Sequence, residues 1–204
     1  MTTAPDSVER AGRQTGDVTP AETAGPELIQ EMWCELLRRR GRHWGRASSG
    51  SMSPMIDLGD RVLVESLTAG APRFGDVVLF LRGGTFTVHR VVGRVRRKGS
   101  AARLLEKGDR NPAGEALCPE DVLGRVVVVE KPRGRLAPGA GWERGFQLAL
   151  GLLGRAVHRL DGAPQSSPGG LRRRAAERVL RLARRLAGLY VRLGIARGER
   201  TPDE

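Results

Sequence analysis

Hydrophobic and polar positions change their period along the chain, and each change marks an element. Between Glu27 and Arg40 apolar residues recur at helical spacing, with Leu28, Met32 and Leu36 on one face and Ile29 and Trp33 beside them. Pro26 suits the first turn, arginines 38–40 suit the negative end of the helix dipole, and Gly41 is a stop, so a short helix is predicted over 27–40. The arginine run reads as a solvated helix end rather than a dedicated binding patch. From about Arg46 to Lys131 the pattern turns to short runs of branched residues: Arg61–Glu65, Asp76–Leu81, Thr85–Val92 and Val122–Val129. Gly, Asp or Pro bounds each run, which predicts strands. Arg82-Gly83-Gly84 signals a hairpin, because glycine tolerates the positive φ of tight turns. Lys98-Gly99-Ser100 marks a second turn, leading into Leu104–Lys107. After Pro132 a Pro/Gly-rich linker precedes helical stretches around 145–160 and 171–193. In the second, Ala175, Val179, Leu182, Leu186, Tyr190 and Leu193 form a stripe with arginines opposite.

This organisation predicts a mainly β protein in four parts. Residues 1–25, rich in Thr, Ala, Pro, Gly and acids, are expected to be disordered. Residues 26–45 form the short helix and a linker, 46–132 a compact all-β domain, and 133–204 a basic amphipathic helical region. No internal repeat is visible. The longest apolar stretch, Phe146–Gly154, ends at Arg155, well short of the roughly 20 residues a bilayer span needs. Residues 1–25 lack the basic start and apolar stretch of a signal peptide. A cytoplasmic chain is the expectation, with peripheral membrane contact as a further candidate.

Charge narrows the partners. The 204 residues hold 35 Lys+Arg against 23 Asp+Glu, a net +12, and only Lys98, Lys107 and Lys131 are lysines. From Arg133 onward 15 arginines face 6 acids, so that region carries +9 of the total. Nucleic acid or anionic lipid would suit such a surface, and a compositional bias toward arginine accounts for it equally well. The basic tail can dock at a membrane interface, or its two helices can pack their apolar stripe on the β domain. Aromatics are 4% of the chain, which argues against a stacking platform for single strands. Cys34 and Cys118 form neither a CxxC pair nor a zinc set, so no metal, disulfide scaffold or cofactor is expected.

Three stretches carry candidate chemistry. In Ser48-Ser49-Gly50-Ser51-Met52-Ser53-Pro54-Met55, small residues allow close backbone approach, Pro54 stiffens the loop, and Met52 can anchor it in the core. Ser51 can then serve as a nucleophile, with its own N–H and the Ser49 hydroxyl as oxyanion donors. Alone, such a Ser/Gly loop is more often just flexible. His89 lies in an alternating strand where Thr87, His89 and Val91 face one way and Phe86 and Val88 the other. It suits either a structural hydrogen bond or a general base. Lys107-Gly108-Asp109-Arg110-Asn111-Pro112 is a turn whose aspartate can hold an imidazole, or simply an Asx-type turn. His43 and His158 lack partners at useful spacing.

In order and wording these pieces resemble the signal peptidase I family, in the branch that pairs serine with histidine instead of lysine. The matching stretches are Ser49–Pro54, Leu58–Val64, Phe74–Phe80, Val88–Val92, Lys107–Pro112 and Val122–Val126. The resemblance covers roughly residues 46–131. It implies a signal-peptidase/LexA-like all-β fold and a serine endopeptidase, a hydrolase that processes a leader or signal-like peptide. It makes Ser51 the nucleophile, His89 the general base, Asp109 the orienting acid and Ser49, with Ser51, the oxyanion hole. A peptide or preprotein is then the expected substrate, and nucleic acid is not an expected partner. Departures are the missing transmembrane helix before the serine, and Arg110 and Glu115 where the family continues with asparagine and another acid. Asp60 and Asp76 match family positions but read as turn formers. Two alternatives stand beside it. One is a LexA-like self-cleaving DNA-binding regulator, weakened by the absence of a lysine near position 89 and of room for a helix-turn-helix. The other is a non-catalytic membrane-surface protein that binds peptide.

Overall fold

The computed structural model describes residues 25–67, 72–96, 99–139, 141–161 and 170–198. The segment expected to be disordered lies outside these residues apart from Gly25, and so does Lys98 of the second expected turn.

Helix α1 (Pro26–Arg40) stops where Gly41 turns to φ 69° and its N–H closes on the Leu37 carbonyl. The chain enters β1 (Arg42–Arg46) at once, so part of the expected linker is a strand of the sheet. Its one apolar aromatic, Trp44, and the Gly45 that follows it left too little alternation to mark it in the sequence. The glycine has a reason: a Cβ there would meet the Trp33 ring at 3.1 Å.

The remaining strands are β2 (Arg61–Ser66), β3 (Val77–Arg82), β4 (Thr85–Val95), β5 (Arg103–Lys107), β6 (Glu115–Leu117), β7 (Val122–Lys131) and β8 (Gly134–Leu136). They form one antiparallel sheet in the order β1-β2-β7-β3-β4-β5-β6, with β8 on β7. The mainly β architecture, with its short leading helix and trailing helices, is therefore the one expected. Gly83 and Gly84, with φ of 54° and 73°, close the β3–β4 hairpin between Arg82 and Thr85.

Both faces of β3 are covered, which is why its apolar run is continuous. Val77 and Leu79 join Met52, Met55, Val62, Val64 and Val126 in the larger core. Val78 and Phe80 join Val91, Leu104 and Leu117 in the smaller one.

Helices α2 (Glu143–Asp161) and α3 (Gly170–Gly198) pack together and against the sheet, α2 on β4 and α3 on β8. Close approach depends on small residues: a Cβ on Gly151 would lie 2.9 Å from the Phe74 ring, and one on Gly194 would lie 2.4 Å from Leu136. The buried side of α3 is Ala176, Ala183, Ala187 and Tyr190, while Leu182 and Leu193 are 55% and 40% exposed. The stripe expected through Leu182 and Leu193 is thus corrected. Small side chains let the helices approach, and that geometry outweighed leucine hydrophobicity. Among the described residues no helix is long and apolar enough to cross a membrane.

Candidate active site

Ser51 sits in the tight turn between β1 and β2, held from two sides. Met52, 2% exposed, anchors the turn in the larger core. The Ser51 carbonyl accepts the Arg110 N–H at 2.9 Å, and the Asp109 N–H points at the Met52 sulfur at 3.4 Å. The turn after β5 therefore lies directly on the serine loop. Gly108 permits this, because a Cβ there would be 2.9 Å from the Ser51 carbonyl oxygen. On the open side the Ser49 and Ser51 hydroxyls are 3.4 Å apart.

The hairpin of β3 and β4 brings in the imidazole. His89 Nε2 is 3.2 Å from Ser51 Oγ, and His89 Nδ1 is 2.5 Å from Glu106 Oε2 on β5. Serine, imidazole and carboxylate thus form one line of hydrogen bonds, the arrangement that lets a hydroxyl surrender its proton. Glu106 is 1% exposed on its side chain. Burial pushes its carboxyl upward, but the hydrogen bonds and charges of His89 and Arg82 outweigh this and hold it below the usual range. It stays ionised at neutral pH, as an orienting group must.

The carboxylate behind His89 was expected to be Asp109, and the geometry corrects that. Asp109 takes a two-pronged ion pair from Arg90, at 2.8 and 2.7 Å. Strand parity is the reason. Across the β4–β5 ladder Arg90 opposes Lys107 and Val91 opposes Glu106, so His89 and Glu106 share one face as diagonal neighbours. Arg90 points to the other face, where Lys107 is also buried. The signal in the sequence is a glutamate inside the apolar run Leu104–Lys107; its face is set by the β4–β5 register, which that run does not show.

Arg90 is fully buried and ties the site to its surroundings. Besides Asp109 it donates to the Gly75 carbonyl at 3.0 Å, to Gln147 of α2 and to the Met55 sulfur at 3.1 Å. Burial pulls the Lys107 ammonium down to about 8, with Asp109 opposing and Arg90 and Arg184 assisting. Lys107 donates to the Gly108 carbonyl at 2.9 Å and so stiffens the turn under Ser51. Of the histidines set aside earlier, His43 meets Trp33 edge-on at 4.8 Å and His158 accepts the Gly114 N–H at 3.1 Å. Among the described residues no cluster suits a metal ion.

A groove of about 640 Å³ opens beside the serine, with Ser49, Ser51 and His89 in its wall. Much of the rest is apolar, lined by Trp33, Ala47, Ile56, Val62, Phe86 and Val88, with Gln30, Arg46, Thr85 and Thr87 also in the wall. Helix α1 forms one bank, fixed by Gln30 donating to the Gly84 carbonyl of the hairpin and by Trp33 packing at a tilt against Phe86, ring centres 5.0 Å apart.

Comparison with known proteins adds a different relationship. No family model matches the chain. It is similar to the tyrosine recombinase XerC of Mycobacterium bovis and of Mycobacterium tuberculosis, 35% identical over 145 residues in each case. The match takes in 68% of this chain and 47% of those proteins, so the chain spans about half the length of the curated relatives it matches. These relatives are recombinases, and that finding overturns what the signal peptidase I resemblance implied. Membership of that family, serine endopeptidase and hydrolase activity, and leader-peptide processing are corrected accordingly. So is the partner expectation, in which a peptide or preprotein was the substrate and nucleic acid was set aside. The DNA-binding alternative stands closer to this relationship. The tyrosine in the relatives' name has one counterpart to consider here, since the chain has a single tyrosine. Tyr190 is 0% exposed and donates to Glu143 at 2.9 Å. Burial and the neighbouring Glu143 push its hydroxyl upward, away from the reactive phenolate.

Proposed function

We propose that Ser51 is an activated nucleophile and that this chain carries a covalent transfer centre. The observation that carries it is the continuous line Ser51–His89–Glu106 at 3.2 and 2.5 Å. In the first step Ser51 Oγ bonds to an electrophilic carbonyl or phosphoryl centre while its proton passes to His89 Nε2. The leaving group departs with that proton from the imidazolium, and an ester remains on Ser51. An acceptor hydroxyl, deprotonated by the same imidazole, then takes the group and frees the serine. Glu106 holds the imidazole in the tautomer that accepts at Nε2 and stabilises its charged form. The Ser49 hydroxyl, 3.4 Å from the nucleophile, is assigned with the Ser51 N–H to the developing oxyanion. The apolar groove favours an elongated, uncharged portion of substrate. On this reading residues 46–132 carry the chemistry and 133–204 buttress it through Gln147.

The test is a fluorophosphonate probe, which reports serine nucleophilicity without knowledge of the substrate. Wild type should form one adduct, located to Ser51 by mass spectrometry, that Ser51→Ala abolishes and His89→Ala slows by about 10²-fold or more. Equal labelling of the wild type and Ser51→Ala would end this reading.

A second reading follows from the recombinase relatives: a nucleic-acid backbone lies along the outer face of α3 in the cytoplasm. Its support is the run of exposed arginines there, Arg173, Arg174, Arg178, Arg181 and Arg185. Duplex DNA binding should then weaken steeply with salt, and changing Arg178, Arg181 and Arg185 to Gln should lower the slope of log affinity against log salt by about 3. Binding that ignores salt would remove it.

A further inference from the structure

Glu106 is shared between the imidazole and the surface. While Oε2 faces His89, Oε1 accepts from Arg82 Nη1 at 2.6 Å. The same Arg82 nitrogen reaches Glu115 Oε2 at 2.9 Å. Four side chains on the successive strands β3, β4, β5 and β6 are thus linked, Arg82 bridging the two carboxylates. Exposure rises along the link: Glu106 is 1% exposed, Arg82 34% and Glu115 71%. The Arg82 guanidinium lies 4.9 Å over the Phe80 ring, which borders His89 in turn. Of the other charged groups, Lys107, Arg90 and Asp109 belong to the opposite face of the β4–β5 ladder, Arg46 shares the groove wall with the ring, Arg110 lies beside Gly50 of the serine loop, and from that loop the ring meets the neutral Ser51 hydroxyl.

We propose that Arg82 is a positioning residue that holds Glu106 against His89 and, balanced by Glu115, sets the pH window in which His89 accepts a proton. The physical basis is a competition. Arg82 neutralises part of the Glu106 charge and so disfavours imidazolium beside it; Glu115 neutralises part of Arg82 and restores that charge. Removing either surface partner should therefore move the histidine in opposite directions. Only the catalytic consequence rests on the reading of Ser51 as nucleophile.

The experiment is an NMR titration of the His89 imidazole in the full chain, with the other two resonances assigned through His43→Gln and His158→Gln. Arg82→Gln should move the His89 titration to higher pH and Glu115→Gln should move it to lower pH. Arg94→Gln removes the same charge from β4 without touching Glu106 and should leave the titration in place. Arg82→Lys keeps the charge but loses the planar guanidinium over the Phe80 ring, so the titration should stay while plateau labelling of Ser51 falls severalfold. Shifts of the same sign in the two variants, no shift in either, or an equal shift in Arg94→Gln would overturn the proposal. Should Arg82→Gln fail to fold, the exposed Glu115→Gln decides the matter alone. Opposite shifts in a protein whose Ser51 takes no fluorophosphonate would keep the tuning and discard the nucleophile reading.

Discussion

Glu106 lies 2.5 Å from His89 on one face of the β4–β5 ladder, while Asp109, three residues later, is locked to Arg90 on the other. Two carboxylates close in sequence therefore have separate tasks. One orients an imidazole, and the other closes a buried structural network.

That separation predicts different phenotypes. Glu106→Gln should slow Ser51 acylation by about 10²- to 10⁴-fold with the fold intact, because the amide favours the wrong imidazole tautomer. Asp109→Asn leaves the fully buried Arg90 short of its counter-charge and should cost about 3–5 kcal/mol of stability. Labelling rates and thermal unfolding of both variants check this. Loss of labelling in Asp109→Asn with unchanged stability would reverse the roles.

Lys107 predicts a pH dependence of stability. Its ammonium is held at about 8 in the fold against 10.5 for the free side chain, chiefly by burial. Between those values the unfolded chain binds the extra proton, so stability from this group rises with pH through that window. Below it the cost of burying the charge is fully present, on the order of 3 kcal/mol. Lys107→Met should flatten the alkaline rise, measured by urea unfolding from pH 7 to 11. A rise of undiminished size in the variant would contradict the assignment.

Gly108 predicts a site defect without a fold defect. A methyl there meets the Ser51 carbonyl at 2.9 Å and the Asn111 amide at the same distance, so the serine loop has to shift by a few tenths of an ångström. Gly108→Ala should slow acylation by about tenfold or more, since the attacking oxygen must be placed closely. The melting temperature should change little by comparison. Wild-type labelling in this variant would mean the turn does not position Ser51.

Tyr190 discriminates between the two functional readings. Tyr190→Phe removes the donor to buried Glu143 and should cost about 1–3 kcal/mol while leaving Ser51 labelling unaltered. A covalent protein–DNA adduct that disappears in this variant would instead make the tyrosine the nucleophile.

Much of the fold was legible in local pattern. The β3–β4 hairpin followed from Gly83-Gly84, the strands from branched runs, and α1 from its apolar spacing and its Gly41 stop. Ser51 and His89 stood out because each is a reactive group set where its neighbours are small or apolar. Strand β1 escaped notice because Arg42, Gly45 and Arg46 break the alternation, and it is held mainly by pairing with β2. The recombinase relationship had no motif to announce it.

What the chain's order of residues determined by itself was the set of elements and the hydroxyl and imidazole that could react. Those depend on neighbours within a turn or two, where backbone preference and side-chain period act directly. Tertiary structure decided which carboxylate serves His89 and which side of α3 is buried. The first turns on strand parity between β4 and β5, and the second on how closely Ala183, Ala187 and Gly194 let two helices and β8 approach. Both are properties of surfaces meeting across long sequence separations, and no local pattern encodes them.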